Sequence, residues 1–204
     1  MAGETAFTIE ASVHTILTCE RLVLNCMQRM SGIATLTHEY TEAIRDYSSK
    51  ILDTRKTTPG FRLLEKEAVR IGGGFNHRFG LFDMIMLKDN HIDYCAGITS
   101  ALNKAREYVN KYTPTLRIEV EVRNLEEVQE VLNSGKADRI MLDNFTPPLL
   151  AEALALIQRK LETEASGGIN LENICEFAAT GVDYISIGAL IHQARSLDLS
   201  LKAY

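Results

Sequence analysis

Apolar residues along the chain fall in short runs that end in charged or glycine-rich residues, and stretches with helical spacing separate them. Ile51-Leu52 runs into Asp53-Thr54-Arg55-Lys56-Thr57-Thr58, and Pro59-Gly60 then reads as a turn. A second run over residues 83–87 ends at Lys88-Asp89-Asn90-His91. Residues 117–122 alternate, which puts Glu119 and Glu121 on one face of a strand, and they lead to Arg123-Asn124. Buried carboxylates there need partners, and Lys56, Lys88 or Arg55 could supply them. Residues 139–142 deliver Asp143-Asn144. A weaker strand over 161–165, its boundary blurred by charges, leads to Ser166-Gly167-Gly168. Residues 184–187 end at Gly188-Ala189. Helical spacing covers 64–71, 94–112, 125–133, 146 to about 160, 171–179 and the stretch after Ala189. Gly135 stops one helix, Thr146-Pro147 opens the next, and Asn170 is placed to cap the one after. This repetition predicts a parallel α/β sheet with its chemistry at the strand ends. The strands number about six, so the predicted fold is an incomplete, open α/β barrel preceded by helices.

Before the first strand the pattern is helical. Residues 1–8 carry no clear element, and 11–17 are mixed and read as a short helix. Helical spacing starts again at Glu20, Ser31-Gly32 reads as an interruption, and a second helix is predicted over 34–47. The division that results is an N-terminal helical segment, 1–50, packed on a barrel domain, 51–204. Arg21, Asn25 and Arg29 share one helical face. It reads first as a solvated face, and second as a contact with another chain or a substrate.

Composition narrows the class. A chain of 204 residues, 46% hydrophobic, can bury a real core and is not a disordered one. Its net charge of −5 gives no general reason to expect nucleic acid as a partner. The four cysteines form no CxxC pair and read as free thiols of a reducing compartment. No secretory leader opens the chain and no apolar run is long enough to span a bilayer, so a cytoplasmic enzyme with no membrane partner is expected. Gly72-Gly73-Gly74 is neither a P-loop nor a dinucleotide fingerprint, because the residues that should follow or precede it are missing.

The candidate chemistry lies at the strand ends. Arg55, Lys56, Arg78 and Lys88, with His77 beside them, supply cations and a titratable ring, while Glu121 and Asp143 supply acids at the same rim. Such a site suits a small polyanion, since arginine grips carboxylates in bidentate fashion and lysine acts as a mobile point charge. The acids could hold a divalent metal through water or bond to ribose hydroxyls. Ser166-Gly167 and Gly188, each ahead of a helix, could turn backbone N–H groups toward a phosphate. Ser166 lacks a nucleophile-elbow context, and no histidine cluster suggests tight zinc ligation. A Schiff base on Lys56 or Lys88 stays open on these residues alone.

The same motifs carry a resemblance. Asp53-Thr54-Arg55-Lys56-Thr57-Thr58-Pro59-Gly60, Asn76-His77-Arg78-Phe79-Gly80-Leu81 and Leu87-Lys88-Asp89-Asn90-His91 resemble quinolinate phosphoribosyltransferase. Glu119-Val120-Glu121-Val122, Leu142-Asp143-Asn144, the 164–169 stretch and Ile187-Gly188-Ala189-Leu190 continue it in order, as do Glu20-Arg21-Leu22 and Ser31-Gly32-Ile33 earlier. The resemblance implies transfer of phosphoribose from phosphoribosyl pyrophosphate to quinolinate with Mg²⁺, giving nicotinate mononucleotide, CO₂ and pyrophosphate for NAD synthesis. It implies that Arg55, His77, Arg78 and Lys88 bind the quinolinate carboxylates and that Lys56 lies near both substrates. Glu121 and Asp143 would face the ribose and its metal, with the metal held indirectly, and Ser166, Gly167 and Gly188 would hold the 5′-phosphate. Lys56, Lys88, Glu121 and Asp143 are then the candidate catalytic residues. The family carries a further N-terminal domain that covers a neighbouring subunit's site and brings another arginine to it. The expectation is therefore a chain lacking most of that domain, which self-associates as a homodimer or higher oligomer. A related pyridine-carboxylate transferase and a non-catalytic anion-binding assembly domain are the alternative readings.

Overall fold

The computed structural model describes residues 3–203, so expectations that touch Met1, Ala2 and Tyr204 lie outside it. The chain opens with one long helix, α1 (Val13–Ala43), whose start is capped by Ser12: the Thr15 amide donates to its hydroxyl at 3.3 Å. The predicted interruption at Ser31-Gly32 does not occur. Gly32 lies inside the helix, and a Cβ there would sit 1.9 Å from the Arg195 carbonyl oxygen. Glycine is present because the returning C-terminal segment crosses the helix at that point, and close backbone approach leaves no room for a side chain.

Strand and helix then alternate. The elements are β1 (Lys50–Leu52), α2 (Arg62–Ile71), β2 (Ile85–Leu87), α3 (Asp89–Tyr94) and α4 (Ile98–Tyr112), followed by β3 (Ile118–Val122), α5 (Leu125–Ser134) and β4 (Arg139–Asp143). They continue as α6 (Pro147–Ile157), β5 (Glu162–Ser166), α7 (Ile174–Ala179), β6 (Tyr184–Ser186) and α8 (Ala189–His192). The helix predicted over 94–112 is instead split, with Gly97 at φ 124° standing between α3 and α4. The helix predicted from 171 begins only at Ile174, because Asn170 organises a turn first, accepting from the Glu172 and Asn173 amides. Gly135 ends α5 at φ 60°, as the sequence predicts, and Asn124 caps its start by accepting the Glu127 amide. Thr146 precedes α6 without a side-chain capping bond.

All six strands are parallel and run in the order β1-β6-β5-β4-β3-β2. β1 and β2 form the two edges and do not pair, so the barrel is open. Phe75 leans on the β1 edge, its amide donating to the Ile51 carbonyl at 2.8 Å, and the chain from there to Met84 crosses the opening. No helix among the described residues is long and apolar enough to cross a membrane.

The two faces of the sheet differ. Ile118, Val120, Val122, Ile140, Leu142 and Ile185 are buried under the helices and form the apolar core. Period-two alternation turns Glu119, Arg139, Glu164 and Ser186 to the other face, the barrel interior. That interior is polar and charged rather than filled with apolar layers. It explains the weak fifth strand: Glu164 in β5 is buried against Arg139 of β4, whose guanidinium donates to it at 3.1 Å.

Candidate functional site

The site is built on the ends of the parallel strands. β1 ends at Leu52, and Asp53 turns inward with no exposure. The Lys66 ammonium donates to Asp53 Oδ1 at 2.5 Å and to the His77 carbonyl at 2.9 Å. The His77 amide also donates to Asp53 Oδ1, at 2.9 Å. With its nitrogen turned toward them, the Asn76 amide donates to Asp53 Oδ2 at 2.8 Å and the Lys66 carbonyl at 3.0 Å. Burial pushes the Asp53 carboxyl up to about 6 while Lys66 opposes the rise, and burial likewise lowers the Lys66 ammonium. This network fixes the start of the loop carrying Arg55 and Lys56 against the loop carrying His77 and Arg78.

His77 is aimed inward. Its Nδ1 accepts from the Arg78 amide at 2.7 Å, so the proton of the neutral ring sits on Nε2, which lies 2.8 Å from Glu119 Oε2 and 3.5 Å from Glu164 Oε2. Burial keeps the ring neutral by lowering its proton affinity, against the pull of Glu164. Burial, joined by the charge of Glu119, pushes the Glu164 carboxyl up to about 8. Burial also raises Glu119, while Arg139 and Arg78 lower it. His77, Glu119 and Glu164 offer ligand atoms within 4.8 Å of one another, and His77 Nε2, both Glu119 oxygens and Glu164 Oε1 lack a hydrogen-bond partner. The set could coordinate a divalent metal ion, with His77 joining through Nε2 once its proton moves to Nδ1 and the Arg78 amide releases that nitrogen. Sequence reasoning placed Glu119 on the interior face but looked to Lys56, Lys88 or Arg55 for its partner; its neighbours are His77 and Arg139 instead.

Burial lowers the Arg78 guanidinium's proton affinity, the neighbouring Arg55 charge lowers it further, and Glu119 and Asp83 oppose both. Arg78 also donates to the Met84 carbonyl at 3.1 Å, which ties it to the entry of β2. Asp83 holds the intervening turn by accepting the Phe79 and Gly80 amides at 2.5 and 2.8 Å. At the end of β2, the Lys88 ammonium bonds Glu121 Oε2 at 2.9 Å, uniting two residues singled out from sequence.

The phosphate-side candidates also converge. Asp143 and Ser166 are register partners on β4 and β5, and the Ser166 hydroxyl donates to Asp143 Oδ1. The Asn144 side-chain amide donates to Asp143 Oδ2 at 2.6 Å. Gly167 has φ 95°, and a Cβ on it would sit 2.1 Å from Asn144 Oδ1, so only glycine fits this turn. A Cβ on Gly188 would lie 3.5 Å from Lys56 Cδ and 3.1 Å from His192 Nε2. Lys56 therefore lies across the start of α8, joining the β1 and β6 ends of the rim. His192 was passed over in the sequence; its one signal is its place four residues after Gly188, one helical turn along.

Residues 33–202 match the family described as the quinolinate phosphoribosyl transferase C-terminal domain. The chain is 48% identical over 199 residues to a probable nicotinate-nucleotide pyrophosphorylase (carboxylating) of Bacillus subtilis, covering 98% of this chain and 68% of that protein. It is 48% identical over 208 residues to quinolinate phosphoribosyltransferase (decarboxylating) 1b of Nicotiana tabacum, covering 95% of this chain and 59% of that protein. The chain thus spans about six-tenths of the tobacco relative's length. Among solved structures, NadC from Streptococcus pyogenes superposes with a TM-score of 0.88 at 46% identity, covering 95% of this chain and 66% of that one. A nicotinate-nucleotide pyrophosphorylase from Francisella tularensis superposes with a TM-score of 0.85 at 46% identity, covering 92% and 65%.

Proposed function

Because the chain belongs to the quinolinate phosphoribosyltransferase family, we propose that its rim transfers phosphoribose from phosphoribosyl pyrophosphate to quinolinate, with loss of CO₂. The observation that carries this reading is the partly buried Arg78 guanidinium, whose charge is disfavoured first by burial and then by repulsion from the neighbouring Arg55. A ligand with two adjacent carboxylates relieves that repulsion, and quinolinate has them. In this geometry His77 Nδ1 takes the Arg78 amide while Nε2 lies beside Glu119 and Glu164 without a hydrogen bond, so its part is to orient the Arg78 loop, and quinolinate meets the loop through Arg78.

Lys56 spans from the quinolinate end to Gly188, at the phosphate end. The turns at Gly167 and Gly188 receive the 5′-phosphate. Glu121 and Asp143 face the ribose, and their oxygens are already engaged by Lys88, Ser166 and Asn144. Carboxylates engaged in this way suit a Mg²⁺ ion held through water, or ribose hydroxyls, better than direct ligation. Held there through water by Glu121 and Asp143, Mg²⁺ would supply charge to offset that of the departing pyrophosphate. The fixed acids favour positive charge developing on the ribose, and the fixed cations hold the ring nitrogen in line with the anomeric carbon. Transfer leaves that nitrogen positive, which stabilises the electron pair left on the adjacent carbon when CO₂ departs.

Residues 1–50 are proposed as a helical segment and 51–204 as the transferase domain, in a cytoplasmic homodimer or higher oligomer. The test is formation of nicotinate mononucleotide from quinolinate and phosphoribosyl pyrophosphate, with nicotinate as the competing acceptor. Equal use of nicotinate refutes the two-carboxylate reading. Tight binding of phosphoribosyl pyrophosphate with no turnover favours an anion-binding domain instead.

A further inference from the structure

α2 (Arg62–Ile71) turns a polar stripe toward the rim. Arg62, Glu65 and Lys66 are three and four residues apart and share a face. Each is bonded to a different part of the site. Arg62 donates to Thr57 Oγ1 at 3.0 Å, the Arg55 carbonyl at 3.3 Å and the Phe79 carbonyl at 2.9 Å. Lys66 holds Asp53 and the His77 carbonyl. Glu65, fully buried, accepts the Thr58 amide and hydroxyl at 2.8 Å each, and Arg29 Nε of α1 at 3.0 Å. Arg29 directs its other two nitrogens to the carbonyls of Ile191, at 2.7 Å, and Ala194, at 2.8 Å.

An unbroken line of bonds therefore runs from Thr58 through Glu65 and Arg29 to the end of α8. Its first member sits in the loop of Arg55 and Lys56. Its last members close the helix that begins beside Gly188. β1 and β6 pair just ahead of the two segments and Lys56 crosses Gly188 in front, so the bracket is a second tether that ties the segments together from behind.

We propose that Glu65 and Arg29 are positioning residues, holding the 55–58 loop and α8 in one register so that the two ends of the ligand site are set together. Which ligand groups those ends hold rests on the function proposed above; the bracket itself does not. Arginine is the residue the geometry requires. Its planar fork bonds one carboxylate and two diverging carbonyls at once, and a single ammonium cannot.

The experiment uses the full 204-residue chain. Amide hydrogen exchange is read residue by residue, with Mg²⁺-pyrophosphate affinity measured by calorimetry. In Arg29→Met, the Thr58 amide and the 192–194 amides are expected to exchange at least ten-fold faster while β3, β4 and β5 amides are unchanged. Pyrophosphate affinity is expected to fall at least ten-fold. Arg29→Lys is expected to restore protection at Thr58, since an ammonium still pairs with Glu65, and to leave the 192–194 amides fast. Unchanged Thr58 exchange in Arg29→Met overturns the proposal, as does faster exchange spread evenly over the strands. If Arg29→Met does not fold, Glu65→Gln decides by the same two-segment pattern, and faster exchange at only one segment refutes the coupling. A wild-type chain that fails to bind pyrophosphate sinks the functional reading, and the exchange pattern still decides the bracket.

Discussion

Replacing Lys66 with methionine removes one half of an ion pair closed off from water, since the Lys66 side chain is 2% exposed and that of Asp53 0%. Methionine roughly matches the stem in shape, so no large cavity opens. Asp53 keeps the His77 amide and the Asn76 side chain as donors and loses its one cation. Breaking a buried pair by removing one partner costs about 3–5 kcal/mol. The carboxyl can escape part of that cost by taking a proton, and protonating an ordinary carboxyl at pH 7 costs about 4 kcal/mol, which sets a ceiling. A loss of about 3–4 kcal/mol follows, or a fall in Tm of roughly 6–16 °C for a domain of this size. The assay is urea unfolding at pH 7, followed by circular dichroism, with the m-value unchanged. The pH dependence has a definite sign. Asp53 sits at about 6, above its ordinary value, and without Lys66 it rises further. As pH falls from 7 toward 6, the folded variant takes up a proton that the folded wild type still refuses. Below 6 the folded wild type takes up the same proton, the two stabilities rise together, and the deficit levels off. The deficit of Lys66→Met must therefore shrink on acidification. A deficit below about 1 kcal/mol at pH 7, no larger than an ordinary hydrogen bond, would refute the reasoning, and so would a deficit that grows in acid.

Arg78→Ala is expected to weaken quinolinate binding by about 2–5 kcal/mol and phosphoribosyl pyrophosphate binding far less; equal losses in calorimetry would misplace the residue. Asp143→Asn is expected to lower turnover about ten-fold or more and to change its Mg²⁺ dependence while quinolinate affinity holds, a loss of about 1.4 kcal/mol in the transition state; unchanged metal dependence would leave Asp143 as a brace for Ser166 and Asn144. Glu164 titrates in the folded chain at about 8, above its ordinary value, so its contribution to stability is full below the unfolded value and is lost as pH rises through 8. Glu164→Gln should flatten that decline in urea titrations from pH 5 to 9, and a parallel curve would show that another group carries it.

The strand ends were legible because the pattern that marks a parallel strand, a short apolar run stopped by polar residues, also marks where its chemistry sits. Lys88 and Glu121 could be placed at one rim from sequence, and they meet at 2.9 Å. What could not be read is which interior charge meets which. Glu119 faces inward by simple alternation, but its neighbours come from the 75–78 crossing and from β4, and only the register across strands brings them there. Gly32 was misread for a related reason. Its poor helix propensity is a local signal, and the crossing of the Arg195 backbone that requires it is a contact 163 residues away. His192 carries no local signal beyond its spacing, since its nearness to Gly188 and Lys56 depends on the close of the sheet at β1 and β6.

The charged interior follows from the demands of the rim. Arg55, Lys56, Arg78 and Lys88 gathered in one cleft would repel one another strongly in a low-dielectric barrel. Beneath them lie Asp53, Glu119 and Glu164, and beside them Asp83 and Glu121, which oppose that repulsion before any ligand arrives. The record is clearest at Arg78, where Glu119 and Asp83 raise what burial and Arg55 lower. The acids need cations in turn, and Lys66 of α2 and Arg139 of β4 supply them. Rim cations are therefore interleaved with acids, and the buried acids with further cations. An apolar interior of the same volume would be easier to pack and would leave the rim cations unsupported. The interleaving predicts that neutralising one of the buried acids, as in Glu119→Gln, lowers pyrophosphate affinity in calorimetry by letting the rim cations spread apart, whereas removing negative charge beside an anion site whose groups stayed in place would raise it.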